Sequence, residues 1–421
     1  MRRPLIALLA ANAFSITGNV FTMLAVPWFV LETTGSTALT GVASAASALP
    51  LVISATFAGP LVDRAGPRRA SVLSDLASGL IVVTIPALFL TAGLAYGVLL
   101  VLLFVRWLLA TPGDMARRAM IPDRAARGSV AIERAAAAYD GVFRGATLAG
   151  ASVAGVMIAW LGPAPLLFID GATFLASAIL IGSGVPRVRH DDGGEARGGY
   201  LTRLGEGLAF LWRERLLRSA VAIILIANML DIGLDQVLLP AYARQVEHDP
   251  RAFGLLVSAI FAGALAGTVA YGWAGARLPR RPTFAVSLLI GGAIRPLVLA
   301  AGVPFGAAIA VIAISGVACG PVNPLLNVIE FERIPAGLRA RVLGAIAAGQ
   351  FAGMPLGGLL AGFLAESAGL MASLLIFAAL YVLAASPPFL SRSWKEINVA
   401  TPQPGAPAMQ PVGRLDEIRV M

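Results

Sequence analysis

Gly59-Pro60-Leu61-Val62-Asp63-Arg64-Ala65-Gly66-Pro67-Arg68-Arg69 is a short charged turn set between two long apolar runs. Gly59 permits close helix approach and Gly66 supports a tight turn. Arg64, Arg68 and Arg69 would hold the connection on the cytoplasmic face of a membrane, because arginine accumulates on that side. The turn therefore predicts two antiparallel membrane helices joined on the inside.

The rest of the chain agrees. Of 421 residues, 58% are hydrophobic and 13% charged, against about 45–50% (glycine included) and about 25% in soluble domains. Runs long enough to span about 30 Å of hydrocarbon occur at Leu5 to Leu31, Ala38 to Val62, Ala70 to Ala92, Tyr96 to Ala110, Ile132 to Leu161 and Pro165 to Gly184. After a polar interval they resume at Leu217 to Ala241, Phe253 to Ala276, Thr283 to Ala301, Phe305 to Ile329, Val342 to Ala365 and Leu370 to Leu390. The expected fold is an all-α membrane protein of twelve transmembrane helices in two pseudo-symmetric six-helix bundles.

Net charge is +9, yet the basic residues sit in short connections, which points to membrane orientation and away from nucleic acid. With the N-terminus inside, the inner connections hold Arg64, Arg68 and Arg69, then Arg117, Arg118, Arg124 and Arg127, the cluster from Arg187 to Arg218, then Arg277, Arg280 and Arg281, and finally Arg333, Arg339 and Arg341. The opposite face receives only Arg244 and Arg251. Both termini are expected in the cytoplasm. Scarce lysine beside abundant arginine suggests a GC-rich bacterial genome, so the expected location is the bacterial cytoplasmic membrane.

Arg2 and Arg3, a following apolar stretch and Ala11-Asn12-Ala13 imitate a cleavable leader. The apolar run continues through Val30, and a retained first span is the better reading. The predicted organisation is a six-helix bundle over residues 1–185, a cytoplasmic linker with an amphipathic helix over 186–215, a second bundle over 216–390 and a disordered cytoplasmic tail over 391–421. His190 to Gly199 reads as flexible linker. The following stretch fits either a helix lying on the inner membrane surface or an extension of the seventh span.

A degraded copy of the opening turn follows the eighth run, as Gly272-Trp273-Ala274-Gly275-Ala276-Arg277-Leu278-Pro279-Arg280-Arg281. It keeps Gly272, Arg277 and Arg281 but has Ala276 in place of Asp63 and Pro279 in place of Gly66. Duplicated halves are what a rocking transporter with a central site requires.

The opening turn, G-x-x-x-D-R-x-G-x-R-R, resembles the motif joining the second and third helices of major facilitator superfamily transporters, and the resemblance extends over residues 4 to 390. Ala25-Val26-Pro27-Trp28-Phe29-Val30-Leu31-Glu32-Thr33-Thr34-Gly35-Ser36 is similar to a signature of the enterobactin-exporter and macrolide-efflux-like branch. So are Ala119-Met120-Ile121-Pro122-Asp123, Ile169-Asp170-Gly171-Ala172-Thr173-Phe174 and Gly207-Leu208-Ala209-Phe210-Leu211. The branch implies secondary export of amphipathic molecules such as drugs, macrolides or siderophores, by alternating access and inward-moving protons. An importer with the same fold is the alternative, since fold does not set direction.

Within the motif, the resemblance implies a conformational switch made of Gly59, Asp63, Arg64, Gly66, Arg68 and Arg69, with Asp63 facing the start of the eleventh span near Arg341. Arg106 corresponds to the family's arginine in the fourth span, without the usual glutamine and glycine after it. The antiporter motif survives in the fifth span only as Gly150-Ala151-Ser152-Val153-Ala154-Gly155, whereas the eleventh has the fuller Gly353-Met354-Pro355-Leu356-Gly357-Gly358.

Charges inside spans are costly, about 2.5–3.5 kcal/mol each on the insertion scale, so they mark function. Asp231 and Asp235 lie four apart on one face of the seventh span. Two such acids repel, and one is expected to bind a proton reversibly; Asp231, nearer the middle, is the expected carrier. Asp140 and Arg144 are also four apart, acid first, which favours an ion pair and makes them the other proton-coupling candidates. Asp170 is expected to pair with a neighbouring span, and Asp75 to be interfacial. Asn12, Asn19, Trp28, Arg106 and Arg295 are substrate-cavity candidates. Four glycine pairs, Gly141 and Gly145, Gly263 and Gly267, Gly349 and Gly353, and Gly358 and Gly362, read as close-packing devices.

Other classes fit poorly. The lone lysine, Lys395, lies in no phosphate-binding loop. Ser152 has no span histidine to activate it as a protease nucleophile. His190 and His248 lie in polar connections and build no metal site, and Cys319 has no disulfide partner. The expected partners are a small-molecule substrate, protons and the lipid bilayer, with no cofactor and no metal, and the expected state is a monomer that is not an enzyme.

Overall fold

The computed structural model describes residues 3–186, 200–335, 338–391, 394–395 and 397, and the regular elements among them are all helical. Twelve helices are long and apolar enough to cross a membrane. The first half contributes α1 (Arg3–Thr34), α2 (Thr37–Ala65), α3 (Pro67–Thr91), α4 (Tyr96–Ala119), α5 (Ile132–Leu161) and α6 (Pro163–Gly184). The second half contributes α7 (Arg215–Glu247), α8 (Pro250–Ala274), α9 (Arg280–Ala300), α10 (Phe305–Arg333), α11 (Arg341–Ala368) and α12 (Leu370–Leu390).

The leader-like segment is the start of α1, continuous through Thr34. α4 overruns its apolar run by about two turns, through Asp114, Arg117 and Arg118, because Arg117 finds partners on other helices inside the bundle. The helix Tyr200–Arg213 is separated from α7 by Glu214, whose backbone is extended. Residues 187–199, where the flexible linker was expected, and 398–421 of the tail lie outside the described residues; the expected disorder of the tail does not hold at Trp394, which is buried on Phe284 and donates to Ser219 at 2.9 Å.

Duplication is visible in the connections. Gly162 joins α5 to α6 with φ 84° and ψ 168°, and Gly369 joins α11 to α12 with φ 85° and ψ 163°. Each supplies a left-handed backbone that a side chain would strain.

The core shows how the halves sit. One continuous apolar cluster takes in Phe21, Leu24 and Phe29 of α1, Leu238 and Tyr242 of α7, and Phe253 of α8. Towards the end that carries Arg3 there are instead separate clusters, one around Leu5, Leu8, Tyr139 and Ile181, a small one of Val62, Ala70 and Ala116, and one in the second half around Leu216, Phe284, Ile346 and Trp394. The halves therefore meet at the middle and at the face opposite Arg3, here the far face, and have separate cores at the near face. On the far side α2 lies so close to α11 that a Cβ on Gly41 would stand 2.3 Å from the Gly358 carbonyl. Gly358 and Gly362 are thus packing positions, as expected. Gly141 and Gly145 are not, since nothing lies within 4 Å of a Cβ built on either.

Candidate functional site

The opening turn forms at the near face. Gly66 ends α2 with φ 79°, its N–H donating to the Val62 carbonyl at 2.9 Å. Arg68 Nη2 donates to the Gly182 carbonyl in the last turn of α6. In the second half Arg281 stands in the equivalent place and donates to the carbonyls of Pro388 at 2.6 Å and Phe389 at 2.7 Å, at the end of α12. The repeated arginine thus ties the third helix of each half to the sixth. The other charges of the turn behave differently: Asp63, Arg64 and Arg69 are exposed, and among the described residues no hydrogen bond or ion pair reaches Asp63. Arg341, expected beside Asp63, is bonded to Glu206 of the helix Tyr200–Arg213. Gly59 makes no close approach in this conformation.

Two charge networks are sealed inside the first half. Asp75 is fully buried, correcting its expected interfacial place. Arg117 Nη1 donates to both of its carboxylate oxygens, at 2.8 and 3.1 Å, and Ser177 adds a hydroxyl bond at 2.6 Å. Arg117 Nη2 reaches Ser15 at 2.9 Å and also Asp114. α1, α3, α4 and α6 are thereby joined through one arginine. In the second network Arg106 Nη2 donates to Asn19 at 2.8 Å and stands 3.9 Å from Asp170, which also accepts from Thr22. Two other nitrogens of Arg106 have no oxygen partner; its guanidinium lies 4.1 Å from the Trp107 ring centre and 5.3 Å from that of Phe174, positions where ring electrons attract a cation. With 0% exposure, Arg106 is a strut between helices and not a cavity residue.

The second half gathers a different cluster. Arg295 of α9 bonds to Asp231 and, at 3.3 Å, to Asp235, both on α7. Tyr381 of α12 donates to Asp231 and accepts from Arg295 at 3.3 Å. This supplies the partners that sequence alone did not name for Arg295. Arg295 is itself 4% exposed, whereas the side chains of its two acids keep 39% and 30% exposure, and none of the three lines a described cavity.

Proline shapes this cluster. Pro240 and Pro296 each lack an N–H, so the preceding turn cannot keep the ordinary α-helical ladder. In α7 the turn Leu234–Leu238 widens to a π-helical one, with Leu239 N–H donating to the Leu234 carbonyl; in α9 the turn Leu289–Ala293 does the same. The carbonyl of Gly291 in that turn accepts from Arg295 Nε at 2.9 Å. Widened turns are frequent at functional sites, and here they set Asp235 and Arg295 face to face.

A cavity of about 260 Å³ lies between α1, α4, α5 and α8, lined by Asn12, Asn19, Trp107, Asp114, Tyr139 and Phe261 among others. Asn12 and Asn19, two of the substrate-cavity candidates, are among its lining residues. Trp28 is buried in the far-side core and lines no described cavity. Asp140 and Arg144 make no ion pair with each other: Asp140 is exposed and Arg144 half-buried, and helical spacing alone does not hold two solvated side chains together. Ser152 donates at 2.9 Å to Ser258 of α8, a contact between halves. Tyr381 and the Asp75–Arg117 network were missed from sequence, since a tyrosine in an apolar run carries no signal by itself. The acids Asp75 and Asp114 did carry one, in their cost.

A family model of the Major Facilitator Superfamily matches residues 8–235 and 221–410. The multidrug efflux pump Tap of Mycolicibacterium fortuitum is 32% identical over 383 residues, covering 89% of this chain and 92% of that protein. Its namesake in Mycobacterium bovis (strain BCG / Pasteur 1173P2) is 31% identical over 388 residues, covering 90% of each. Among solved structures, nucleoside transporter NupG superposes with a TM-score of 0.74 at 13% identity, covering 92% of this chain and 98% of that one. A bacterial homolog to the human lysosomal transporter Spinster, solved in an inward-facing and unoccupied conformation, gives a TM-score of 0.71 at 16% identity, over 94% and 97% of the two chains.

Proposed function

The chain belongs to the major facilitator superfamily, and from that membership we propose that it exports amphipathic, drug-like molecules across the bacterial plasma membrane in exchange for protons. Its relatives named as multidrug efflux pumps support the direction, and the branch resemblance points to macrolides or siderophores as substrate classes. Arginine placement puts the near face, with both termini, in the cytoplasm. The cavity then opens to the cytoplasm for loading, and the molecule works as a monomer.

The observation that carries the coupling is Asp231, an accessible acid bonded to a buried arginine in the middle of a span. With Asp231 ionised, Arg295 and Tyr381 hold it and tie α7 to α9 and α12. A proton on Asp231 removes the charge that Arg295 faces, loosens that tie and leaves Asp235 as the arginine's anion. Proton binding and helix position are linked in this way, as exchange requires. Substrate is held on the other side, by Trp107, Tyr139 and Phe261 for apolar surface and by Asn12, whose buried Nδ2 has no partner among the described residues. Asp63 engages the start of α11 when the near face closes.

Everted membrane vesicles test the reading. With an imposed proton gradient they should accumulate drug or siderophore, and Asp231→Asn should leave the protein in the membrane without gradient-driven uptake. Full gradient-driven transport by that variant sinks the coupling. Uptake only by right-side-out vesicles makes the protein an importer.

A further inference from the structure

Hydrogen bonds between the halves concentrate at the far face, on one carboxylate. Glu366, in the last turn of α11, places Oε2 at the start of α2. It accepts the backbone N–H of Thr37 at 2.9 Å and of Ala38 at 3.3 Å, and the hydroxyls of Thr37 at 2.9 Å and Ser36 at 3.2 Å. The first N–H groups of a helix have no partner within it. In α2 the third is satisfied at home, Leu39 N–H donating to Ser36 Oγ at 3.1 Å, whereas the first two depend on the other half of the molecule. Thr37 Oγ1 also lies 3.3 Å from the Gly362 carbonyl.

α2 and α11 run antiparallel, so at each face the C-terminal end of one meets the N-terminal end of the other. At the near face the acid at the C-terminal end is Asp63 of α2, exposed and unengaged. At the far face it is Glu366 of α11, fully engaged. We propose that Glu366 is the far-face latch of the transport cycle: its carboxylate holds the start of α2 while the near face is open and lets go as the far face opens, out of phase with Asp63. Glu366 is an exposed residue, so water competes for it and the latch biases the equilibrium without locking it. The device serves export or import alike and goes beyond the choice between them.

The test reads distance in the full-length protein, with no substrate and no gradient. Spin labels at Leu161→Cys and Ala301→Cys, both exposed positions on opposite halves, are placed in a Cys319→Ser background. The parent should give one dominant short distance. Glu366→Ala should raise the population of a longer, far-open distance by about fivefold or more, the size of a change of about 1 kcal/mol. Glu366→Gln, which keeps an acceptor but loses the charge, should fall between. Thr37→Val removes a donor from the other side of the contact and should shift the populations in the same direction; it also decides the matter if Glu366→Ala does not fold. Distances identical to the parent in Thr37→Val and in a folded Glu366 variant overturn the latch. Absence of drug transport by the parent, with the distance shifts as expected, counts against the efflux reading alone.

Discussion

In the first half, Arg106 with Asp170 and Arg117 with Asp75 are closed off from solvent, and every charge has a neighbour on another helix. In the second half only the arginine is buried, while Asp231 and Asp235 remain reachable. The difference separates two uses of intramembrane charge. A sealed pair is costly to desolvate and costlier to break, so it fixes helices in one arrangement. An accessible acid on a buried cation keeps contact with its surroundings, which the proposed exchange needs. The halves share one plan, visible in Arg68 and Arg281, yet the first buries its charge pairs and the second leaves its acids exposed, which is why the proposed exchange is placed there.

The largest expected effect tests the sealed side. Asp75→Asn leaves Arg117 short of its anion, and breaking a buried pair costs about 3–5 kcal/mol, a large share of a typical net stability of about 5–15 kcal/mol. The variant should accumulate poorly and unfold at lower temperature; normal yield and thermal stability would mean the pair is not a strut. Next comes Asp231→Asn, with normal yield but gradient-driven uptake at the background of empty vesicles. If it too fails to fold, the contrast between the halves is lost. Tyr381→Phe removes one hydrogen bond to Asp231, usually about 0.5–1.5 kcal/mol, and should change the proton concentration for half-maximal uptake by about two- to twelvefold while leaving yield unchanged. Asp63→Asn weakens an anion at a helix N-terminus and should alter the near-open to near-closed ratio by about two- to fivefold, read with spin labels across the near face. Asp140→Asn should change neither yield nor transport, because no partner holds Asp140 here; a strong transport defect would give α5 a proton role that the second half does not monopolise.

Much of the architecture was legible because a membrane imposes it. Hydrocarbon thickness dictates the length of Leu5 to Leu31, and arginine bias orders the connections, so twelve spans and two halves followed from local pattern. α4 shows the limit. Its apolar run ends near Ala110, but the helix continues through Arg117 because the bundle supplies that residue's partners, Asp75 and Ser15, which no window along the chain contains.

The candidate site divides in the same way. Asp231 and Asp235 were recognisable by their spacing, and Gly66 by the turn it must make. Arg106 and Trp28 looked like cavity residues and are packed inside, since an apolar run does not reveal which of its faces meets another helix. Glu366 drew no notice at all, being an ordinary acid at the end of a span until α2 is set beside it.

The sequence by itself determined that this chain crosses the membrane twelve times, that it is doubled, and which charges sit within its spans. Those properties depend on transfer free energies, which act residue by residue. Tertiary structure alone decided which charge meets which, that Arg295 answers Asp231, that Asp75 is sealed, and that Glu366 is engaged while Asp63 is free. Pairing is a property of two helices far apart in sequence, and its energy exists only once their surfaces share a low-dielectric interior.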